Sequence, residues 1–325
     1  MVRDIARNLA ADATRIVITG AGGWIGLAAL DLLEQALGGA LDERVRCFGS
    51  SHRELVLRSG RRVAQHRIDA LAELDRQPTF VLHLAFLTKD RAESMSEEAY
   101  VEANRVLSAK VLAALEPIGV TGLFMASSGA AALADDGSRA PAMRLYRALK
   151  RAEEETFAAW AATSGASLAI ARIYNLAGPY INKPENYALA SFIIDALAGR
   201  PIVIRAPRRV VRGYVAIDDL LWLIFSILLQ REPEPASFET GGSPVEIEDV
   251  ARLVSGEFGE VPIERAPITD SADDIYLGDD EAWRRLLSRH GIRPTPFEEQ
   301  VRQTIQYLAT ASEAPLSNEK GVVRG

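Results

Sequence analysis

Cysteine is nearly missing from this sequence. Cys47 is the sole one in 325 residues, so no internal disulfide can form, and a reducing, cytoplasmic setting is expected. Histidine is sparse too, four residues scattered along the chain, which speaks against a metal site. Positive charge is in deficit, with 37 Lys and Arg against 44 Asp and Glu, so nucleic acid is not an expected partner. The most apolar run, Leu220 to Leu229, is about half the length of a membrane span and is expected as a buried helix. Met1 to Thr14 spreads its charges and has no apolar core, so it reads as a short N-terminal extension rather than a secretory signal. No internal repeat or low-complexity segment is present. What remains is ordinary globular material, 48% apolar and 25% charged, enough for one large domain or two modest ones.

The most informative stretch runs from Arg15 to Gly26. A strand-length apolar run, Arg15 to Thr19, stops at Gly20, and a helical pattern starts around Gly23 with Leu27, Leu30, Leu33 and Leu37 on one face. Gly20, Gly23 and Gly26 let the backbone turn sharply and let a pyrophosphate approach main-chain N–H groups around Trp24 and Ile25. A glycine triplet that ends a strand and opens a helix predicts dinucleotide binding. After a second strand, Val45 to Phe48, such folds usually carry an acid for the ribose hydroxyls. Here no carboxylate stands at residues 49–53. Ser50, Ser51 and Arg53 suit a 2′-phosphate, which favours NADP over NAD; an exposed polar loop is the competing reading. Glu54 to Ile68 reads as a hairpin turning at Ser59-Gly60. Asp69 then offers two roles, acceptor from an adenine amino group or N-cap of the following helix.

Thr79 to Leu84 is a continuous apolar strand of the doubly buried kind, and Leu84-Ala85 at its end would let the chain approach the cofactor. A long helix, Ala92 to Leu115, contains Asn104. The strand Leu123 to Ala126 delivers Ser127 and Ser128 at its C-terminal end, the edge of an α/β sheet where chemistry sits. Tyr146 and Lys150 follow on a helix from Ala142 to Thr163, four apart and so on one face. Ser167 to Ile173 is the next buried strand. Beyond it, five arginines (Arg200, Arg205, Arg208, Arg209, Arg212) stand out in an acidic chain. They read as a diphosphate clamp led by Arg212, or in part as a solvated basic edge. Asp218-Asp219 would cap the helix from Leu220. The tail from Thr310 is polar.

With these residues in place, the chain resembles the extended short-chain dehydrogenase/reductases, the group named for nucleotide-sugar epimerases and dehydratases. The likeness covers about Arg15 to Leu308. It rests on Thr19 to Gly26, His83 to Ala85, Asn104, Ser127-Ser128, Tyr146/Lys150, Arg172 to Pro179, Arg212 to Asp219 and the closing Gly291 to Ile305. It implies an α/β fold: a Rossmann-type doubly wound parallel sheet with a smaller, discontinuous C-terminal substrate domain. On that reading residues 15–174 with about 210–232 hold NADP or NAD, with Asn104 among the cofactor residues. Residues 175–209 and 233–310 then hold a nucleotide sugar through Asn175, Tyr187, Arg205 and Arg212. Tyr187 could stack on a base or simply pack. A homodimer through the two long helices is implied by the same likeness.

The expected chemistry moves a hydride at a sugar carbon and a proton at its oxygen. Tyr146 is the acid/base. A free phenol has a pKa of about 10, and an ammonium about 4 Å away at an effective dielectric near 20 lowers it by about 3 units, so Lys150 suffices alone. Ser128, or Ser127 one position earlier, would bind the reacting oxygen. Dehydratases of the group carry an acidic pair after this serine, whereas Gly129-Ala130 stand here, so dehydration is not expected. Keto-sugar reductase and 4-epimerase remain open. Reduction of a non-nucleotide carbonyl and non-catalytic cofactor sensing are the alternatives.

Overall fold

The computed structural model describes residues 2–88, 91, 94–133, 141–232 and 235–313. Strands and helices are numbered in chain order. The large sheet contains β1 (Arg15–Thr19), β2 (Val45–Gly49), β3 (Arg53–Val56), β4 (Arg62–Arg67), β5 (Thr79–His83), β6 (Val120–Ser128), β7 (Ser167–Ile173) and β11 (Ala236–Glu239). Their spatial order is β11-β7-β6-β5-β1-β2-β4-β3. Every pair is parallel except β3 with β4, the expected hairpin, which turns at Gly60.

Side chains alternate across this sheet into two apolar cores, as a doubly wound sheet requires. Ile16, Ile18, Phe80, Leu82 and Phe124 face one core, while Val17, Val81, Leu123 and Met125 face the other. The first core is closed by α1 (Val2–Ala11), α2 (Trp24–Leu37) and α6 (Ile217–Gln230). The second is closed by α3 (Glu97–Leu115) and α4 (Pro141–Ser164), through Val111, Leu115, Phe157 and Ala161.

The N-terminal segment is not a loose extension. Its helix α1 buries Ile5 and Leu9, one turn apart, against α2 and α6. Arg44 donates to the Leu9 carbonyl and Arg231 pairs with Asp12, so the join to β1 is fixed as well. This packing also changes α2. It is buried well beyond a single stripe, at Ala28, Ala29, Leu30, Leu32 and Leu33, because the sheet lies on one side and α1 and α6 on others. The helical stretch Trp24–Arg44 is long and apolar enough to cross a membrane by length and composition, yet more than half of it is buried inside this core.

The smaller sheet is centred on β10 (Val210–Ala216). It pairs with β8 (Asn175–Ala177) and β14 (Asp274–Tyr276) in parallel and with β12 (Pro244–Glu246) antiparallel. A separate parallel pair joins β9 (Ile202–Ile204) and β13 (Ile263–Arg265). Around them lie α5 (Ala188–Leu197), α7 (Ile247–Glu257), α8 (Asp280–Arg289) and α9 (Phe297–Glu313).

Two expectations need correction. Residues 236–239, assigned from sequence to the substrate part, form β11 beside β7, while β10, assigned to the cofactor part, belongs to the smaller sheet. Asp218 and Asp219 do not cap α6, which begins at Ile217 after an uncapped Ala216. The Asp219 carboxylate instead accepts from Thr295 N at 2.7 Å and Thr295 Oγ1 at 2.9 Å, fastening the segment that leads into α9.

Candidate active site

The glycine turn is built as a cradle with no room for side chains. Gly20 has φ +73°, in the left-handed region, and its N–H donates to Phe48 O at 2.8 Å. A Cβ there would stand 2.8 Å from the Ala85 nitrogen, and one at Gly26 would stand 2.5 Å from the Ala21 oxygen. Gly23 is the N-cap of α2 and offers no side chain, so the first-turn N–H groups have no side-chain cap. These features fit the pyrophosphate of a dinucleotide. Trp24 is clamped to the other side of the molecule, its Nε1 donating to Pro179 O at 2.7 Å and its ring edge meeting Tyr187.

Beside the turn, Ser50 and Ser51 are exposed, and the Arg53 guanidinium lies against Gly22, 3.4 Å from its carbonyl oxygen. Sequence reading missed Gln65. This buried β4 residue accepts from Gly22 N at 3.0 Å and donates to Ser51 O at 2.9 Å, tying the turn to the β2–β3 loop. Asp69 does not cap a helix. It sits in the first turn of a 3₁₀ segment, where Arg67 and Lys110 hold its carboxylate and lower its pKa through hydrogen bonds and charge.

Leu84 and Ala85 leave β5 alongside Gly20, with Leu84 N bonded to Thr19 O. Asn104 is buried in α3 and spends its amide on backbone. Its oxygen accepts from Leu87 N at 2.9 Å and its nitrogen donates to Tyr100 O at 3.2 Å. It therefore fixes the loop that carries Leu84 and Ala85.

Ser127 and Ser128 lie inside β6, whose strand runs to Ser128 itself. Ser127 is buried, and its hydroxyl donates to Glu154, which Arg172 also holds through two hydrogen bonds. Ser128 is half-buried, with its oxygen accepting from Ala130 N at 3.2 Å. Among the described residues, Ser128 has no carboxylate taking its hydroxyl proton as Glu154 takes that of Ser127.

Tyr146 and Lys150 meet at Phe86, in the loop after β5. The Lys150 ammonium sits 3.7 Å from the ring centroid and the Tyr146 ring meets it edge-on at 5.8 Å. Lys150 is deeply held: Nζ donates to Ala126 O and to Glu153 Oε2, each at 2.9 Å. Glu153, 4% exposed, also accepts from Ser108 at 2.7 Å and meets His83 Nε2 at 3.1 Å, while His83 Nδ1 meets Thr19 Oγ1 at 2.8 Å. Burial pushes the Glu153 carboxyl up, but the Lys150 charge and the His83 and Ser108 hydrogen bonds outweigh it and hold the pKa down at about 2. Glu153 is therefore ionised at neutral pH, and the Lys150 charge is not alone. The expectation that lysine suffices by itself left out this neighbour.

The four residues expected to hold substrate come together. Asn175, Tyr187, Arg205 and Arg212 line one cavity of about 430 Å³, walled on its apolar side by Ile181 and Phe192. The arginine stretch is less free than expected. Arg200 pairs with Asp195, Arg208 with Asp270, Arg209 with Asp273 and Arg212 with Asp274, the last at 2.8 Å. Among the described residues Arg205 alone of the five lacks a carboxylate partner.

Residues 16–241 match the NAD dependent epimerase/dehydratase family. The chain belongs to this family. A dTDP-L-rhamnose 4-epimerase from Burkholderia thailandensis is 33% identical over 119 residues, which cover 35% of this chain and only 32% of that protein's own length. Among solved structures, the UDP-N-acetylglucosamine 4-epimerase from Methanobrevibacter ruminantium M1, in complex with UDP-N-acetylmuramic acid, superposes with a TM-score of 0.71 at 18% identity. It covers 92% of this chain and 99% of its own. The UDP-glucose 4-epimerase of Thermus thermophilus, in complex with NAD, gives 0.66 at 23%, covering 92% and 100%. At these identities the two structures show the fold. This family member departs from the expected pattern through Glu153 and Phe86, neither of which its motifs announced. A carboxylate three residues after the lysine was the available signal, but a helical glutamate at that spacing is ordinarily a solvated one.

Proposed function

We propose that this protein is an NAD(P)-dependent oxidoreductase or epimerase acting on a hydroxyl or keto carbon of a nucleotide-linked sugar. The observation that carries the reading is the single cavity shared by Asn175, Tyr187, Arg205 and Arg212. Its Tyr187 touches Trp24 of the glycine turn, so substrate and dinucleotide would be neighbours. Gly20, Gly23, Trp24, Ile25 and Gly26 would hold the pyrophosphate, and Leu84 and Ala85 would flank the cofactor on a loop set by Asn104. Ser50, Ser51 and Arg53 favour a 2′-phosphate, hence NADP. Bound there, the cofactor supplies or accepts hydride. Tyr146 moves the proton at the sugar oxygen, Lys150 biases the phenol, and Ser128 orients the oxygen. Gly129-Ala130 offer no carboxylate for dehydration.

Releasing and identifying the dinucleotide carried by purified protein, then assaying NADPH consumption with UDP- and dTDP-linked keto sugars, tests this. Turnover of added NADPH marks a reductase. A retained dinucleotide with sugar interconversion and no net redox change marks an epimerase. The acid-paired arginines favour one second reading, reduction of a carbonyl compound without a nucleotide. Failure of UDP and dTDP to raise the melting temperature would select it. A homodimer through α3 and α4 is part of the proposal, and sedimentation at two concentrations checks it.

A further inference from the structure

The strand end beside the glycine turn is shaped from across the sheet. Gly20 N and Ala21 N both donate to Phe48 O, so residue 49 is the first on β2 to pass the turn. A side chain there would stand where such folds hold the adenosine ribose. Gly49 brings none, and Gln65 of β4 fills the space: a Cβ at residue 49 would lie 2.5 Å from the Gln65 carboxamide. Gln65 stands opposite Cys47 on one neighbouring strand and Arg53 on the other. All three therefore share one face of the sheet, and Gly49, two residues beyond Cys47, shares it too. We propose that Gln65 sets the preference of this protein for a dinucleotide bearing a 2′-phosphate. It closes the Gly49 position to a carboxylate and holds residues 50–53 against the glycine turn. The proposal rests on the NADP reading given above and assigns that preference to a residue outside the loop.

Gln65 is 2% exposed, and both ends of its amide are used, the oxygen by Gly22 N at 3.0 Å and the nitrogen by Ser51 O at 2.9 Å. A neutral amide is required for this bridge, because a carboxylate has no proton to give to Ser51 O. Arg53 lays its guanidinium over Gly22, where any Cβ would meet it. Among the described residues no carboxylate pairs with Arg53, whereas nearby Arg62 and Arg67 are paired with Glu54 and Asp69. A guanidinium binds a phosphate through two parallel hydrogen bonds and gains far less from a pair of hydroxyls. The ribose position is thus bordered by a neutral amide and an unpaired cation. An aspartate at residue 49 would reverse both preferences, since it would accept from ribose hydroxyls and repel a phosphate. It would also need the room that Gln65 occupies.

Titration of the full chain, freed of bound dinucleotide, with NADPH and with NADH tests this by nicotinamide fluorescence and without turnover. The wild-type protein is expected to bind NADPH at least about tenfold more tightly, as one charged hydrogen bond would give. Gln65→Ala should lower that ratio by about tenfold, and Gly49→Asp/Gln65→Ala, with a carboxylate in the vacated space, should turn it in favour of NADH. Gly49→Ala, which displaces the amide without removing it, should lower the ratio in the same direction, and it decides where Gln65→Ala does not fold by circular dichroism. Gly49→Ala should also lower the melting temperature of the wild-type protein but not that of Gln65→Ala, a suppression that reports the contact itself. A ratio that these variants leave unchanged overturns the role of Gln65 while the NADP reading stands. A wild-type protein that prefers NADH overturns both.

Discussion

Phe86 carries Lys150 on its face and meets the Tyr146 ring in a T-shaped contact, so the proposed acid/base pair is packed as a unit. Tyr146→Phe should keep this packing and the bound dinucleotide while lowering turnover by at least about 100-fold, in line with the loss of a general acid; cofactor content and steady-state rate on the same preparation check both halves. Two buried carboxylates also set opposing pH responses. Glu153, held at about 2 against an ordinary 4.5, stabilises the fold fully above about pH 4.5 and loses that contribution as pH falls toward 2. Asp219 is pushed up to about 6 by burial and by neighbouring Asp218, against hydrogen bonds from Thr295, so its ionisation costs stability as pH rises from 4 to 6. Each effect is on the order of 3 kcal/mol. Melting temperature against pH should therefore rise from pH 7 toward 5 and fall below 4. Asp219→Asn should flatten the first slope and Glu153→Gln the second. The motif residues were legible because chemistry demands those side chains at those spacings. Glu153, Gln65 and Phe86 were not, because their roles depend on contacts between strands and helices distant in sequence, such as His83 with Glu153.

At the scale of elements, α1 is an integral part of the core. Leu9 is 0% exposed, and Leu9→Ala should cost about 2 to 5 kcal/mol, measured as a shift in the urea midpoint at unchanged m-value. The turn before α2 is as intolerant for a different reason. Gly20→Ala would place a methyl against the Ala85 backbone in a left-handed conformation, so loss of bound dinucleotide is expected together with a lower melting temperature. Long apolar strands and their helices could be read from sequence, β7 at its observed bounds, because doubly buried runs leave an unbroken apolar pattern. The three-residue strands β8, β12, β13 and β14 are too short to show a period, and α1 presents its apolar face through few residues.

Across the whole molecule, charge is arranged so that an acidic segment, Asp270 to Asp274, lies against the basic one about sixty residues earlier. That separation hid the pairing from the sequence, in which the five arginines read as a diphosphate clamp or in part a solvated edge. Arg205→Ala should weaken UDP binding by about tenfold, the loss of one charged hydrogen bond, whereas Arg209→Ala, at an exposed pair with Asp273, should leave it unchanged; titration calorimetry with UDP checks both. The path of the chain has a consequence of its own. After leaving β7 for the smaller sheet, it returns through α6 to lay β11 against β7, then departs again for β12. Ligand preference in this protein therefore cannot be transplanted with one or two cuts. A chimaera made by swapping everything after a single junction would strip an edge strand from the other half, so exchange of preference between relatives must proceed loop by loop.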